Sequence, residues 1–430
     1  MRRWGLIGAV VLVVAASLRA AAAPVTIKFN YRNVSVGAER LVKAWIAEFE
    51  QLHPEIKVEW TVAGSGWEDK LLVEMAAGTA PDVTEFWGAF AQRLAHRGLL
   101  LDLRPYVERD FSASEVEDFF PSSWALTFIG YGPRKGEQYA LPRYINTTPI
   151  YYNADLFARA GLEHPGILNE RGEWTWQTLR DSAKKLVRKD GDKVVQYGFA
   201  LLTNHWHRIA QWVWEAGGDF FDPEDPLVFT ADRAEAVEGV QFIHDMIWQD
   251  SSTMPSLSGQ AFIEGRLGMM STGLNDALSR FKPAIGDAFA WNMTRRAVGP
   301  KGRRPYIVDD AFGIWSGTRH PDEAWEFLKF ITSTRGQQLM VEHEGLAPTR
   351  RSVAQHYIDI DPSLNLAVFA EQAMDGSPPP SARVVGDAAG ITAIFTRVFN
   401  QSLVTNQKSY LEAIREARPE IEALIGESLF

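Results

Sequence analysis

The chain has 430 residues, 46% hydrophobic and 23% charged, with a formal net charge of −10 and no cysteine. That length gives room for two or three folded units, and the apolar content excludes a disordered chain. The acidic balance argues against a nucleic-acid partner. The lack of cysteine removes disulfides, thiolate metal sites, cysteine nucleophiles and the lipidated cysteine of a lipoprotein.

Met1-Arg2-Arg3 is a basic start, Leu6 to Leu18 is an apolar run, and Ala20 to Ala23 are small. This reads as a secretory signal peptide over residues 1–22, too short to span a membrane. Cleavage is placed after Ala22, since Pro24 suits the position just after a cut poorly. An uncleaved anchor is the alternative, and Arg2-Arg3 with Arg19 leaves twin-arginine export open. No later stretch reaches ~18 uninterrupted apolar residues, so a periplasmic, monomeric protein without a lipid anchor is expected.

Val25 to Asn30 alternates as a strand, and a helix follows over 36–53 with Leu41, Val42, Trp45, Ile46 and Phe49 on one stripe. Ile56, Val58, Trp60 and Val62 alternate as a second strand. Ser65 is placed to cap a helix from Trp67 to about Ala77, and Pro81 to Phe86 reads as a third strand before a helix to Gly98. This β-α-β-α-β-α order predicts a sheet covered by helices. Ile150 to Tyr152 is a strand that meets a helix capped by Asn153, with Leu156, Phe157 and Ala160 facing inward and Gly161 as its stop. Thr175 caps another helix, and Tyr197 to Leu201 is a buried strand. Helices are expected over 206–216 and 231–248, and short strands over 267–271 and 288–293. Tyr306 to Trp315 is strand-like but contains Asp309-Asp310. Pro321 opens a helix and Thr334 caps the next.

Several of these words, in this order, resemble the bacterial extracellular solute-binding proteins, family 1, which serve ABC transporters. The central one is Leu141 to Gly161 (LPRYINTTPIYYNADLFARAG), followed by Trp174-Thr175-Trp176. Others are Pro81-Asp82-Val83 after Gly78-Thr79-Ala80, Tyr197 to Ala200, Phe262 to Met270 (FIEGRLGMM), His320 to Ser333 (HPDEAWEFLKFITS) and Gly345 to Arg351 (GLAPTRR). Together they span nearly the whole chain after the leader. The family includes maltose-, trehalose- and glycerol-phosphate-binding proteins. The resemblance implies an α/β fold of two lobes, the type II periplasmic binding architecture, joined by several hinge crossings. One lobe would take residues 23–142 and 312–346, the other 143–311 and 347–430. It also implies a sugar ligand, a membrane permease as partner, no cofactor and no catalysis.

A sugar presents hydroxyls and C–H patches, which call for planar polar groups and flat aromatic faces. Trp67, Trp87, Trp206 and Trp291 are the aromatic candidates, with core packing as the alternative for each. Arg32, Arg143, Tyr144, Asn146, Asn275, Asp309 and Asp310 are the polar ones. Gly273-Leu274-Asn275 stands where the family often has Gly-Pro-Trp, so the stacking tryptophan usual there is absent. Asp309 and Asp310 lie in an apolar stretch where the chain is expected to cross between lobes; an ion pair with Arg303, Arg304 or a hinge residue is the alternative. If Arg32, Arg143 and Arg350 converge, the ligand is acidic, because guanidinium forks match carboxylate and phosphate; solvated surface arginines are the simpler reading. His205 and His207 form only a weak metal signal. No metalloprotease, serine-hydrolase, P-loop or dinucleotide motif is present, and an exported carbohydrate-active enzyme is the rival class.

Overall fold

The computed structural model describes residues 23–425, except 33, 34, 65, 308, 309, 381–383 and 385. The leader, Ser65 and Asp309 therefore lie outside the described residues. Eleven strands among those described form two sheets: β1 (Val25–Tyr31), β2 (Ile56–Val62), β3 (Val83–Phe86), β4 (Leu141–Pro142), β5 (Ile150–Asn153), β6 (Arg188–Asp190), β7 (Lys193–Leu201), β8 (Thr253–Met254), β9 (Leu267–Ser271), β10 (Trp291–Thr294) and β11 (Ala311–Ile314).

The first sheet runs β2-β1-β3-β11-β4. β1 pairs in parallel with β2 and β3, and β11 joins antiparallel to β3 and β4. Its main helix, Val36–Leu52, starts where the Ser35 side chain accepts the Ala38 N–H at 3.1 Å. Leu41, Val42, Trp45 and Phe49 are buried from one stripe of that helix, against Phe29, Tyr31, Phe312 and Phe327. In β2 the inward alternation holds for Ile56 and Val58 and then fades, leaving Val62 exposed at the strand end.

The second sheet runs β10-β5-β9-β7-β6, with β8 also on β7. β7 and β9 are parallel, whereas β5 runs antiparallel to β9 and to β10. Asn153 caps the helix Ala154–Arg159 as its sequence suggests, accepting the Leu156 N–H at 3.0 Å. Leu156 and Phe157 are buried there, while Ala160 is exposed. Thr175 caps Trp176–Lys185 with a reciprocal box through Thr178. That helix lies so close to β7 that a Cβ on Gly198 would sit 1.9 Å from the Ala183 carbonyl oxygen. Further on, Ser333 rather than Thr334 caps Thr334–Glu344, accepting the Gly336 N–H at 3.1 Å.

Three segments carry the chain between the sheets: 143–149 after β4, the stretch leading into β11, and 345–350 after the helix Thr334–Glu344. They lie side by side. The Arg143 N–H donates to the Asp310 carbonyl at 3.1 Å, and the Ile145 N–H donates to the Ala347 carbonyl at 2.9 Å. Of the strand-like stretch 306–315, the first sheet takes Ala311–Ile314, and Tyr306 makes an isolated parallel bridge to Ser377. One piece of chain before β4 reaches to the other side. Helix Pro121–Ala125 donates from Ser122 Oγ to the Ala373 carbonyl at 2.5 Å, and Phe120 packs edge-on to Phe369.

Candidate functional site

The carboxyl ends of β1 and β3 are neighbours in the first sheet, and chains leaving such ends leave a crevice. Tyr31 and Arg32 stand at the end of β1, and Glu85 and Trp87 at the end of β3. Glu85 is fully buried in a strand of otherwise uncharged residues. A buried carboxylate must be paired, and this one is. It accepts the Arg32 N–H at 3.0 Å, Arg32 Nη2 at 3.0 Å and Arg143 Nη1 at 2.6 Å.

Arg143 is the centre of this network. Its Nη2 donates to Tyr31 Oη at 2.5 Å and to Glu344 Oε2 at 3.0 Å, and Tyr31 Oη in turn donates to Glu344 Oε2 at 2.5 Å. Arg32 Nη2 also donates to Asp310 Oδ2 at 2.9 Å, and Arg143 Nη1 lies 3.8 Å from the same oxygen. The Tyr144 hydroxyl bonds to Asp310 as well. Burial works against the charge on Arg143, but Glu85, Tyr31 and Glu344 around it outweigh that and hold it firmly protonated. Burial pushes the Asp310 carboxyl above the ordinary carboxylate range, with Arg32 opposing and Glu85 reinforcing the shift. The Tyr144 phenol is raised well above its usual value by burial and then by Asp310. Two crossings each supply a charged member, Arg143 and Asp310, and Glu344 comes from the helix end that leads into the third.

Trp67 and Trp87 stand beside this network. Their rings meet edge to face at 5.6 Å, and the Arg32 guanidinium lies 3.8 Å from the Trp87 centroid. Trp87 is 42% exposed, so one broad aromatic surface stays open to solvent on a fixed base. From the other lobe, Asn146 Nδ2 donates to Asn275 Oδ1 at 3.1 Å, which joins the first crossing to the loop after β9. Gly273 makes room for that pair, since a Cβ there would lie 2.6 Å from Asn275 Oδ1.

The structure brings Arg32, Trp67, Trp87, Arg143, Tyr144 and Asp310 together, and it joins Asn146 to Asn275 beside the crossings. Two aromatic expectations are corrected. Trp206 opens helix Trp206–Glu215, within the helix expected over 206–216, but its side chain is wholly buried and stacks on Phe395 at 4.8 Å instead of offering a face to a ligand. Trp291 pairs with Asn153, the end of β5 away from the crossing, while Thr294 pairs with Ile150 at the near end. It packs with Tyr151, Phe262 and Phe281 instead. Arg350 does not converge with the other two arginines. It donates to the Thr332 carbonyl at 2.6 Å and to Asp118 at 3.2 Å. With two arginines set against Glu85, Asp310 and Glu344, the network has no positive excess, so the acidic-ligand argument built on Arg32, Arg143 and Arg350 fails. Asp310 does sit in ion pairs, with Arg32 at 2.9 Å and with Arg143, the first residue of a crossing, at 3.8 Å. Arg303 instead reaches the Arg296 carbonyl and Asn169. Tyr31, Glu85 and Glu344 were absent from the sequence reading. Glu85, a lone carboxylate in the strand Val83-Thr84-Glu85-Phe86, was the one available signal.

Two α/β lobes, three crossings and a buried polar network at their junction define a class, the hinged two-lobe binding proteins. The chain belongs to the bacterial extracellular solute-binding protein family, whose profile matches residues 36–338. A Brucella abortus (strain 2308) chain described as a binding protein is 24% identical over 392 residues, 86% of each chain. The maltotriose-binding protein of Pyrococcus abyssi is 25% identical over 324 residues, 70% of this chain and 62% of its own. Among solved structures, the sugar-binding protein MalE from Xanthomonas citri superposes with a TM-score of 0.79 at 20% identity, over 93% of this chain and 97% of that one. At that identity the likeness is one of fold.

Proposed function

We propose that this protein is the extracytoplasmic receptor of an ABC importer. It binds a sugar or similar polyhydroxylated solute between its lobes and presents it to the membrane permease without turning it over. Export follows cleavage of the leader after Ala22, and the protein works as a monomer. The lobes are 23–142 with 312–346 and 143–311 with 347–430. The observation that carries this reading is the buried network that ties Arg143 and Asp310, on two crossings, to Tyr31, Arg32, Glu85 and Glu344. A solute that bonds Arg32 and Asp310 on one wall and Asn146 and Asn275 on the other stabilises the closed form only through contacts the open form lacks. The open face of Trp87, backed by Trp67, suits the C–H patch of a ring.

A thermal-shift screen of the purified protein against sugars, polyols and their acids tests this. A solute that binds only the native state adds about 2.7 kcal/mol of stability at one hundred times its dissociation constant. One clear shift, with the compound recovered unchanged, is the expected result. Chemical conversion of the compound would establish the enzyme class instead.

A further inference from the structure

The arginines that draw attention in the sequence are neutralised, Arg32 and Arg143 by Glu85, Asp310 and Glu344, and Arg350 by Asp118. Arg208 is not. Among the described residues no carboxylate pairs with its guanidinium, and its Nη1 is buried without a hydrogen-bond partner. What it meets is an aromatic face, the Tyr306 ring, at 5.2 Å from Cζ to centroid. Two further buried nitrogens without partners belong to its neighbours, Nδ1 of His205 and Nε2 of His207. The two imidazoles lie 4.9 Å apart, and His207 also faces Tyr306 at 5.9 Å.

The chain's path puts this group beside the crossings. β7 runs parallel to β9, and the loop after β9 bonds to the first crossing through Leu274 N–H to the Thr147 carbonyl at 2.9 Å. Residues 202–205 leave the same end of β7 and open the helix Trp206–Glu215. One turn on from Arg208, Gln211 Oε1 accepts the Thr148 hydroxyl and, at 3.1 Å, the Tyr306 N–H. Thr148 is on the first crossing, and Tyr306 lies four residues before Asp310 on the second. The same helix face therefore carries Arg208 to the junction between the lobes.

Among the described residues no carboxylate pairs with the helix start, although Asp276 and Arg208 both act on the Tyr151 phenol nearby. His205 makes no side-chain capping bond, and the first turn holds no acid. The free N–H groups and dipole of a helix start already favour an anion, and a cation in the same turn is unfavourable without one. A partly buried guanidinium lacking a counter-ion adds to that cost. Burial and the nearby Arg208 keep His205 neutral down to about pH 4, and burial lowers His207 further, so the imidazoles remain hydrogen-bonding groups rather than extra charges.

We infer that the solute carries an anionic group, a carboxylate or phosphate on a polyhydroxylated body, and that Arg208, His205 and His207 hold it at the start of this helix. The planar fork of a guanidinium matches both anions. Arg32, Asp310, Asn146 and Asn275 are left for the hydroxyls. The inference rests on the cleft-binding reading above and narrows its ligand.

Titration calorimetry of the purified protein decides it, with glucose, glucuronate, glucose 6-phosphate, glycerol 3-phosphate and inorganic phosphate, each at low and high salt. The expected result is that glucuronate or glucose 6-phosphate binds about tenfold or more tightly than glucose, the size of one charge-assisted hydrogen bond. Which of the two prefers the site names the anion, and the margin shrinks with salt. Arg208→Met removes the margin and leaves the melting curve in place; Arg208→Lys, with the salt dependence of the unaltered protein, serves if the first variant does not fold. Glucose binding as tightly as its acid and phosphate overturns the inference and leaves the sugar reading standing. Glycerol 3-phosphate or phosphate binding alone supports the anion site and removes the sugar. A margin that survives in both variants overturns the role of Arg208, and no binding by any probe overturns both.

Discussion

Two buried arginines at the heart of this molecule are paired in opposite ways. Arg296, in the second lobe, faces a single carboxylate. Its Nε and Nη2 donate to the two oxygens of Glu215 at 2.7 and 2.9 Å, and both side chains are essentially unexposed. Trp176 Nε1 also donates to Glu215 at 3.2 Å, and Trp212 lies 4.6 Å from the guanidinium. Arg143 faces three carboxylates and a phenol, and its partners come from four separate lengths of chain. The first arrangement is closed and belongs to one lobe. The second is shared between lobes, and its members move relative to one another whenever the crossings bend. Equal burial thus serves cohesion in one place and coupling in the other.

The strongest way to test the contrast is to remove the closed pair. Arg296→Met leaves Glu215 buried without its cation and is expected to cost about 3–5 kcal/mol in urea unfolding. Solute affinity per folded molecule is expected to stay unchanged. Arg143→Met leaves carboxylates that still have Arg32 and Tyr31 beside them, so a smaller loss of about 2–3 kcal/mol is expected. Its distinguishing sign is hydrogen exchange. The Arg143 and Ile145 amides, bonded to Asp310 and Ala347, should exchange faster in this variant and not in Arg296→Met. Equal protection in both would dissolve the distinction.

Acid acts on the histidines beside Arg208. An unfolded chain takes up their protons near pH 6.5, while native His205 resists to about pH 4. The unfolded state therefore binds more protons across that window, and stability falls as pH drops through it. Urea midpoints at pH 7 and pH 4.5 measure the slope, and His205→Gln should flatten it. Smallest in stability is Trp87→Ala, because the ring is largely at the surface. A change of about 0.5 kcal/mol is expected from the lost contact with Arg32, together with a clear drop in solute affinity.

Much of the scaffold was legible because it rests on local rules. Asn153, Thr175 and Gly161 mark helix ends by their own chemistry, and the alternation in β2 shows in Ile56 and Val58. The site was legible only in part. Arg32, Trp67, Trp87, Arg143 and Asp310 stand out by residue type in loops or at crossings. Glu344 does not, since it reads as the last turn of a surface helix, and its role exists only once residue 143 is folded against it. Trp206 misled because the helix start was legible while the inward direction of its ring, onto Phe395, was not. Trp291 misled because strand register, not composition, decides which end of β10 meets the crossing. Arg208 looked like any polar position on a helix; its distinction is the partner it lacks, which no single sequence displays.

The hydrogen bonds between crossings have one more consequence. Residues 143, 145, 310 and 347 lie in one short ribbon rather than on three separate threads. A ribbon bends across its plane and resists shear within it, so the lobes keep one shared axis of rotation. It also makes the connection redundant. A nick in any one crossing leaves two covalent links and the remaining ribbon contacts, so the molecule should tolerate new chain ends there better than a single-linker protein would.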